Sequence, residues 1–453
     1  MTRAMAALAL LALAGCNMAP HYERPAPPVP PALPSGEAYA VQKAGAAGLP
    51  WTQLVGDARL RTIIERALAN NRDLRATIAN VEAARAQYRV QRAAQLPTVT
   101  ADAGASLARR NGTRQDSYSA DIGFSAFEID LFGRVRNLTE SALQTYLASQ
   151  EGARATRIAL IAETATAYAT LAADQELLAL SRQTQASAQR TLDLTRSLNA
   201  AGLAGKLDVH QAETTVEQAT SDVAANVTQV AQDRNALDLL AGGTVEDALL
   251  PVSLDSLTAG VARVPAGLSS DILLQRPDVL QAEHQLKAAN ADIGAARAAM
   301  FPRISLTSAI GVASSALSSL FSGDGFTWSA SPSATLPIFG GANRGNLDYS
   351  KAQRDAYLAR YEGAIQTAFQ EVADALARDG TIDAQQAAQR RLVTASAQAY
   401  ALAEQRYRAG IDTFLAALTS QRALYNARQS AIATDLALVS NRIRLYRVIG
   451  ADQ

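Results

Sequence analysis

One thiol and three imidazoles are all the soft or readily switched ligand chemistry carried by the 453 residues. His21, His210 and His284 lie far apart, no two within one helical turn, and Cys16 has no second thiol to pair with. A zinc or iron site needs three or four converging ligands and an internal disulfide needs two cysteines, so neither is expected. No phosphate loop or nucleophile elbow appears, and the scattered Asp and Glu residues show no site spacing. An enzyme is the function these residues favour least. What remains is the thiol itself, in "Leu13-Ala14-Gly15-Cys16" at the end of the apolar run Ala4–Ala14.

That run is about eleven residues long and preceded by Arg3, whereas a membrane-spanning helix takes about 20. Residues 1–15 therefore read as a cleaved signal peptide. Small residues directly before the cysteine resemble a bacterial lipoprotein signal, in which the thiol takes a diacylglyceryl group and Cys16 becomes the acylated first residue. The alternative is a buried structural cysteine. Each buried methylene of an acyl chain adds about 0.8 kcal/mol, so this covalent lipid is an anchor, and no other cofactor is expected. Asn17 in place of an aspartate implies, under the same resemblance, sorting to the outer membrane. Residues 16–50 form the lipidated terminus, and the prolines between Ala19 and Pro34 predict an extended tether that packs against nothing.

Lys+Arg and Asp+Glu both number 42, so no global field favours nucleic acid. Aromatics are only 5% while alanine is plentiful, a composition for long, closely packed helices rather than a thick core. No later stretch is apolar enough for a transmembrane helix.

The positions that must be arranged lie on a duplicated scaffold. "NRDLRATIANVEAARAQYRVQRAAQLPTVTADA" from Asn71 aligns with "RPDVLQAEHQLKAANADIGAARAAMFPRISLTSA" from Arg276 at an offset of about 205. "AAGLAGKL" around Gly202 matches "RAGIDTFL" around Gly410, and "LLAG" matches "RVIG". Residues 51–250 and 271–453 are thus two copies joined by a linker at 251–270, each reading helix, strand pair, very long helix, turn, helix. No proline falls between Pro97 and Pro251 or after Pro337, so helices of 65 to 70 residues, about 100 Å, run unbroken. Ile161, Thr164, Tyr168, Leu171 and Leu178 make one coiled-coil stripe, and Ile158, Ala162, Ala165, Ala169 and Ala172 a second beside it. Two stripes suggest neighbours on both sides, as in a cylinder of helices; a long four-helix bundle fits the helices equally well.

Four segments switch to period two: about 97–108, 117–130, 302–313 and 326–339. Tyr118, Ala120, Ile122 and Phe124 oppose Ser119, Asp121, Gly123 and Ser125; Phe326, Trp328 and Ala330 oppose Thr327, Ser329 and Ser331. A soluble sandwich with one wet face would read similarly. Each run is nevertheless about ten residues or a little more, close to the 9 to 11 of a tilted membrane strand, and four strands cannot close alone. Two chains would make eight strands with a filled interior. Three make twelve around a polar, water-filled lumen, with the tips "ARRNGTRQD" and "SSALSSLFSGDG" outside the cell. The fold class is α plus transmembrane β, as a homotrimer with a 12-stranded barrel continued by a helical barrel.

On those residues the chain resembles the outer membrane factor family of TolC-like channels, in its lipidated, NodT-type branch that works with RND pumps. The resemblance spans nearly the whole chain, through "GCNMAPHYERPAPPVP", "WTQLVGDARLRTIIERALANNRDLRAT", "LLQRPDVLQAEHQLKAANADIGAARAAMFPRISLT", "AGLAGKLDV" and "AGIDTFLAAL". It implies an outer-membrane barrel, a helical tube crossing the periplasm, and a far tip opened by a periplasmic adaptor (membrane fusion protein) and an inner-membrane RND transporter. Gly202, Leu203, Gly205, Gly410 and Ile411 would form the adaptor-facing turns. Related channels narrow at an apolar ring, an acidic ring and a nearby arginine. Leu415 matches the first and Arg422 the last, but Thr419 stands at the acidic position, leaving Asp412 or Asp208 to supply charge.

The function implied is a passive exit duct for drugs and other small toxic molecules. A duct for type I-like secretion or metal efflux is the alternative within that class. A non-conducting envelope lipoprotein is the alternative outside it, and it leaves four two-faced strands unexplained.

Overall fold

A computed structural model describes residues 17–39, 50–111, 113–260, 270–322 and 324–450. Cys16 and the signal segment 1–15 lie outside the described residues. After one helical turn at Trp51–Leu54 come α1 (Ala58–Asn70), α2 (Arg72–Ala93), β1 (Thr100–Arg110), β2 (Thr113–Ile129), α3 (Arg134–Ala200) and α4 (Lys206–Ala241). The second copy gives α5 (Pro277–Ala298), β3 (Arg303–Ser314), β4 (Phe326–Thr335), α6 (Gly341–Arg408) and α7 (Phe414–Ile449). Corresponding helices have matched lengths, 67 and 68 residues for α3 and α6 and 36 each for α4 and α7.

Both copies fasten their last helix in the same way. Gly242 and Gly450 end α4 and α7 in the left-handed conformation, at φ 74° and 70°. Ahead of α2, Asn71 caps the helix by accepting from the Asp73 and Leu74 amides, and its Nδ2 reaches the Leu240 carbonyl at 3.2 Å. Ahead of α5, Arg276 reaches the equivalent Val448 carbonyl at 2.8 Å, and its guanidinium also bonds Asp278 and Glu371. The "RPD" of the second copy is thus a clamp on a helix end.

By packing, the chain forms two units, each drawn from both copies. Of the described residues, those from 17 to 27, 79 to 152 and 280 to 364 form one, and those from 28 to 78, 153 to 279 and 365 to 450 the other. In the second, both stripes of α3 are buried apart from partly exposed Leu178, with Ile161, Ala165, Tyr168, Ala169 and Leu171 at 1% exposure or less.

The first unit holds an antiparallel sheet in the order β1-β2-β3-β4, its central pairing joining the two copies. Strand limits differ from those expected by up to four residues. Pro97 cannot donate to the ladder, so β1 starts at Thr100, and β4 ends at Thr335, ahead of Pro337. At the first hairpin Asn111 takes φ 50°, which tightens the turn and lengthens both strands toward the tip.

The expectation of a tether that packs against nothing is corrected. Residues 18–24 run extended along α5, where Arg297 donates to the Met18 carbonyl and Asn290 to that of Pro20. A Cβ on Gly294 would sit 2.7 Å from Ala19. Farther along, Tyr22 and Arg24 donate to Glu283, which also pairs with Lys287. Burial of Glu283 works against its charge, but the hydrogen bonds from Arg24 and Lys287 prevail and hold its carboxyl below the usual range. Six extended residues cover about 19 Å and fourteen helical ones about 21 Å, so the two tracks keep step.

Candidate functional site

Pairing sorts the sheet into two faces. On one lie the rows Ala101–Ile122–Ile310–Trp328 and Ala103–Ala120–Val312–Phe326, continued by Phe127–Leu306–Pro332 and Ile129–Ile304–Ala334. The other carries Asp102–Asp121–Gly311–Thr327, Thr100–Gly123–Ala309–Ser329 and Glu128–Ser305–Ser333. From Ile129 to Tyr118 the apolar face covers about 34 Å of strand, or about 25 Å of height at the usual tilt, the apolar band of a membrane barrel.

Keeping that face apolar takes a device the strict alternation did not predict. A β-bulge between Phe124 and Phe127 inserts one residue, with Ala126 at φ 51° and its amide donating to Thr307 Oγ1 at 3.0 Å. Without it Phe127 and Ile129 would point to the polar side. The sequence does carry the signal, since the apolar positions slip from even to odd numbers after Phe124.

The polar face is the concave one. A Cβ on Gly123 would lie 2.3 Å from the Ser308 carbonyl oxygen, and one on Gly311 2.3 Å from that of Ala120. Neighbouring strands therefore lean over this side. At the helix end of the same face Glu128 takes two bonds from Arg134, at 2.8 and 2.6 Å, and a longer contact from Arg303 at 3.4 Å. The sequence reading missed this group.

The tips of the long helices share one core, in which Ala188, Leu192, Ala212 and Val216 of α3 and α4 pack with Tyr407, Phe414, Ala417 and Leu418 of α6 and α7. Gly202 and Gly410 turn the chain at φ 75° and 69°, and Leu203 and Ile411 each donate back five residues, to Leu198 and Arg406. Gly205, at φ −81°, precedes α4 and donates its amide to Asp208 at 3.1 Å. Leu203 and Ile411 are exposed. Leu415, Thr419 and Arg422 fall on one exposed face of α7, flanked by buried Phe414, Leu418 and Gln421. Thr419 turns its hydroxyl onto the Leu415 carbonyl at 2.8 Å, and Asp412 is bridged by Arg406 at 2.7 Å.

Behind that face, hydroxyls link the two helix pairs: Thr195 with Tyr407 at 3.1 Å, and Ser187 with Tyr400 and Ser181 with Tyr425, both at 3.2 Å. Tyr425 also donates to Asp222 of α4.

Between α3 and α4, Asp174 is pushed up to about 7, by burial first and then by its hydrogen bond with Asp233 and that residue's charge. A raised carboxyl stabilises the fold fully below the unfolded value near 4 and loses that contribution as pH rises through about 7. Asp174→Asn should therefore flatten the fall in melting temperature between pH 5 and pH 8. An unchanged pH profile in that variant would separate the pair from the helical unit's stability.

This arrangement recurs in known proteins. The outer membrane efflux protein family matches twice, over residues 63–243 and 268–451. The probable efflux pump outer membrane protein TtgC of Pseudomonas putida is 46% identical over 465 residues, which span 99% of this chain and 96% of TtgC. A membrane protein from Pseudomonas aeruginosa superposes with a TM-score of 0.86 at 42% identity, covering 96% of this chain and 100% of that one. The open state of the MtrE outer membrane channel of Neisseria gonorrhoeae superposes with a TM-score of 0.85 at 36% identity, over 96% and 98% of the two chains. The fold class, α plus transmembrane β with four strands per chain, is shared with them. Because the match recurs once in each copy and covers most of the sequence, the chain belongs to the outer membrane efflux protein family.

Proposed function

We propose that the protein is the outer-membrane channel of a tripartite RND-type efflux system, a passive exit duct for drugs and other small toxic molecules. The two-faced sheet carries this reading. It has an apolar band of membrane height, a concave polar side, and edges at β1 and β4 that pair with no other strand among the described residues. A bilayer tolerates no open edge. Three copies close twelve strands around a wet lumen, so the working form is a homotrimer. The duct does no chemistry: the inner-membrane transporter supplies the energy, a periplasmic adaptor docks at the turns around Gly202 and Gly410, and the face bearing Leu415, Thr419 and Arg422 lines the aperture. Asp412 and Asp208 supply negative charge beside it.

Planar-bilayer conductance of the purified trimer tests this. Discrete steps are expected, larger or longer-lived in Arg422→Ala; silence from both proteins as intact trimers would sink the duct. The covalent lipid on Cys16 is a second anchor beside the barrel. Cys16→Ser should leave a trimer that washes more readily from outer-membrane fractions, and equal retention would mean that the barrel alone suffices.

A further inference from the structure

A cavity of about 320 Å³ opens between α3, α5 and α6, wholly within the unit that carries the sheet. Small-molecule sites run from about 300 to 1,000 Å³, so it is large enough for one small ligand. Buried Ala148, Ala288 and Ala289 give it apolar walls, and Tyr357 of α6 adds an aromatic ring. At one end α3 and α5 close together, where a Cβ on Gly152 would stand 3.2 Å from Gln281 Nε2. Its polar lining is rich in acceptors. Thr145 and Ser149 spend their hydroxyl protons on the Ser141 and Tyr146 carbonyls, at 2.9 and 2.6 Å, which leaves their oxygens to accept. Asp292 accepts from the Ser141 side chain, yet burial outweighs that bond and pushes its carboxyl above the usual range. No lysine, arginine or histidine is among the lining residues. Arg360 stands over the Tyr357 ring, 5.0 Å from its centre.

The cavity also has a definite side. Gln281, Gln285, Ala288 and Asp292 form the α5 stripe that lines it, whereas the strap of residues 18–24 lies along Glu283, Lys287, Asn290 and Gly294. Each stripe position is two residues from its counterpart, about 200° around the helix, so the two stripes are back to back. A strap leading to a lipid anchor runs outside a tube, and the cavity then opens on the lumen. We infer that this cavity is a niche for a small organic cation, an aryl-alkyl ammonium, in the inner wall of the duct. The ammonium sits against Asp292 and the hydroxyl oxygens, and the ring lies among the alanines and Tyr357. An ammonium carries three donors and no acceptor, the complement of this lining. Its charge favours the ionised form of Asp292 that burial opposes. The alanine walls and the ring select an organic cation over a bare metal ion. The luminal placement, and with it a class of cargo, rests on the duct reading above; binding in the cavity does not.

The test titrates the full, lipidated trimer in detergent with tryptamine by isothermal calorimetry, beside its neutral analogue tryptophol. Wild type should bind the amine roughly tenfold more tightly than the alcohol, the scale of one charge-assisted hydrogen bond. Asp292→Asn, which keeps the shape of the side chain, should lose that preference and bind the alcohol as wild type does. Asp102→Asn/Asp121→Asn, which alters carboxylates of the sheet and leaves the cavity intact, should keep it. Equal binding of amine and alcohol by wild type overturns the inference without recourse to any variant. So does an amine preference that survives Asp292→Asn, or one that disappears with the two sheet carboxylates. Conductance of the same preparations separates the two readings. Steps without amine preference overturn this inference alone; intact trimers that bind the amine but show no steps overturn the duct and leave the niche.

Discussion

Replacing Gly311 by valine is expected to abolish channel formation while leaving the long helices folded. A Cβ at Gly311 would stand 2.3 Å from the Ala120 carbonyl oxygen and 2.5 Å from the Asp121 Cα. These are backbone atoms of the paired strand, so no rotamer change relieves the overlap. β3 is a central strand, and the only escape is for β2 and β3 to part and flatten, which removes the curvature that closure needs. Overpacking of this kind costs about 3 kcal/mol or more, here multiplied by three copies. Far-UV circular dichroism should keep its helical signal while trimer on native gels and conductance steps disappear. Gly104→Ala on the same face is the control, because its Cβ meets only the Ser119 hydroxyl at 3.5 Å. Wild-type steps from the valine variant would refute a concave, lumen-facing polar side.

The helices were legible in the sequence because their requirements are local. Proline-free windows and three-and-four stripes suffice to give α3 and α6, and the left-handed turns at Gly202 and Gly410 need only the one residue type that adopts them cheaply. The faces of β1, β3 and β4 followed from simple alternation. The β2 bulge did not, because a fixed period of two passes over a one-residue slip.

The strap of residues 18–24 was misread for a different reason. Proline-rich composition says that a chain is extended and is silent on whether a partner surface exists. The partner is a stripe on α5, Glu283, Lys287, Asn290, Gly294 and Arg297, which sequence alone does not distinguish from a solvated helix face. The tyrosine links were beyond reach too, since Tyr400, Tyr407 and Tyr425 find Ser187, Thr195 and Ser181 more than 200 positions away. At the tip, α7 spacing gives the shared face of Leu415, Thr419 and Arg422. Whether that face looks into a lumen depends on neighbouring copies, which no local pattern encodes.

Neutralising Asp102 and Asp121 together is expected to strip the barrel of cation preference. The two residues are direct partners in the β1–β2 register, on the concave face, beside Gly311 and Thr327. Thr100 donates to Asp102 at 2.7 Å, which orients that carboxylate without cancelling its charge. The other carboxylate of this face, Glu128, already has Arg134 and Arg303 against it. In a closed trimer the Asp rows would set six carboxylates at one level of a narrow lumen. At 0.1 M salt the screening length is about 10 Å, so their fields overlap across the lumen; at 1 M it is about 3 Å and they do not. Under a salt gradient at low ionic strength the wild-type reversal potential should lie well to the cation side. Asp102→Asn/Asp121→Asn should bring the permeability ratio several-fold toward unity, and the difference should fade in 1 M salt. Asp412→Asn at the tip gives the opposing case. If that change alone removes the preference while the barrel variant keeps it, selectivity is set where the tube narrows and the barrel is only its outlet.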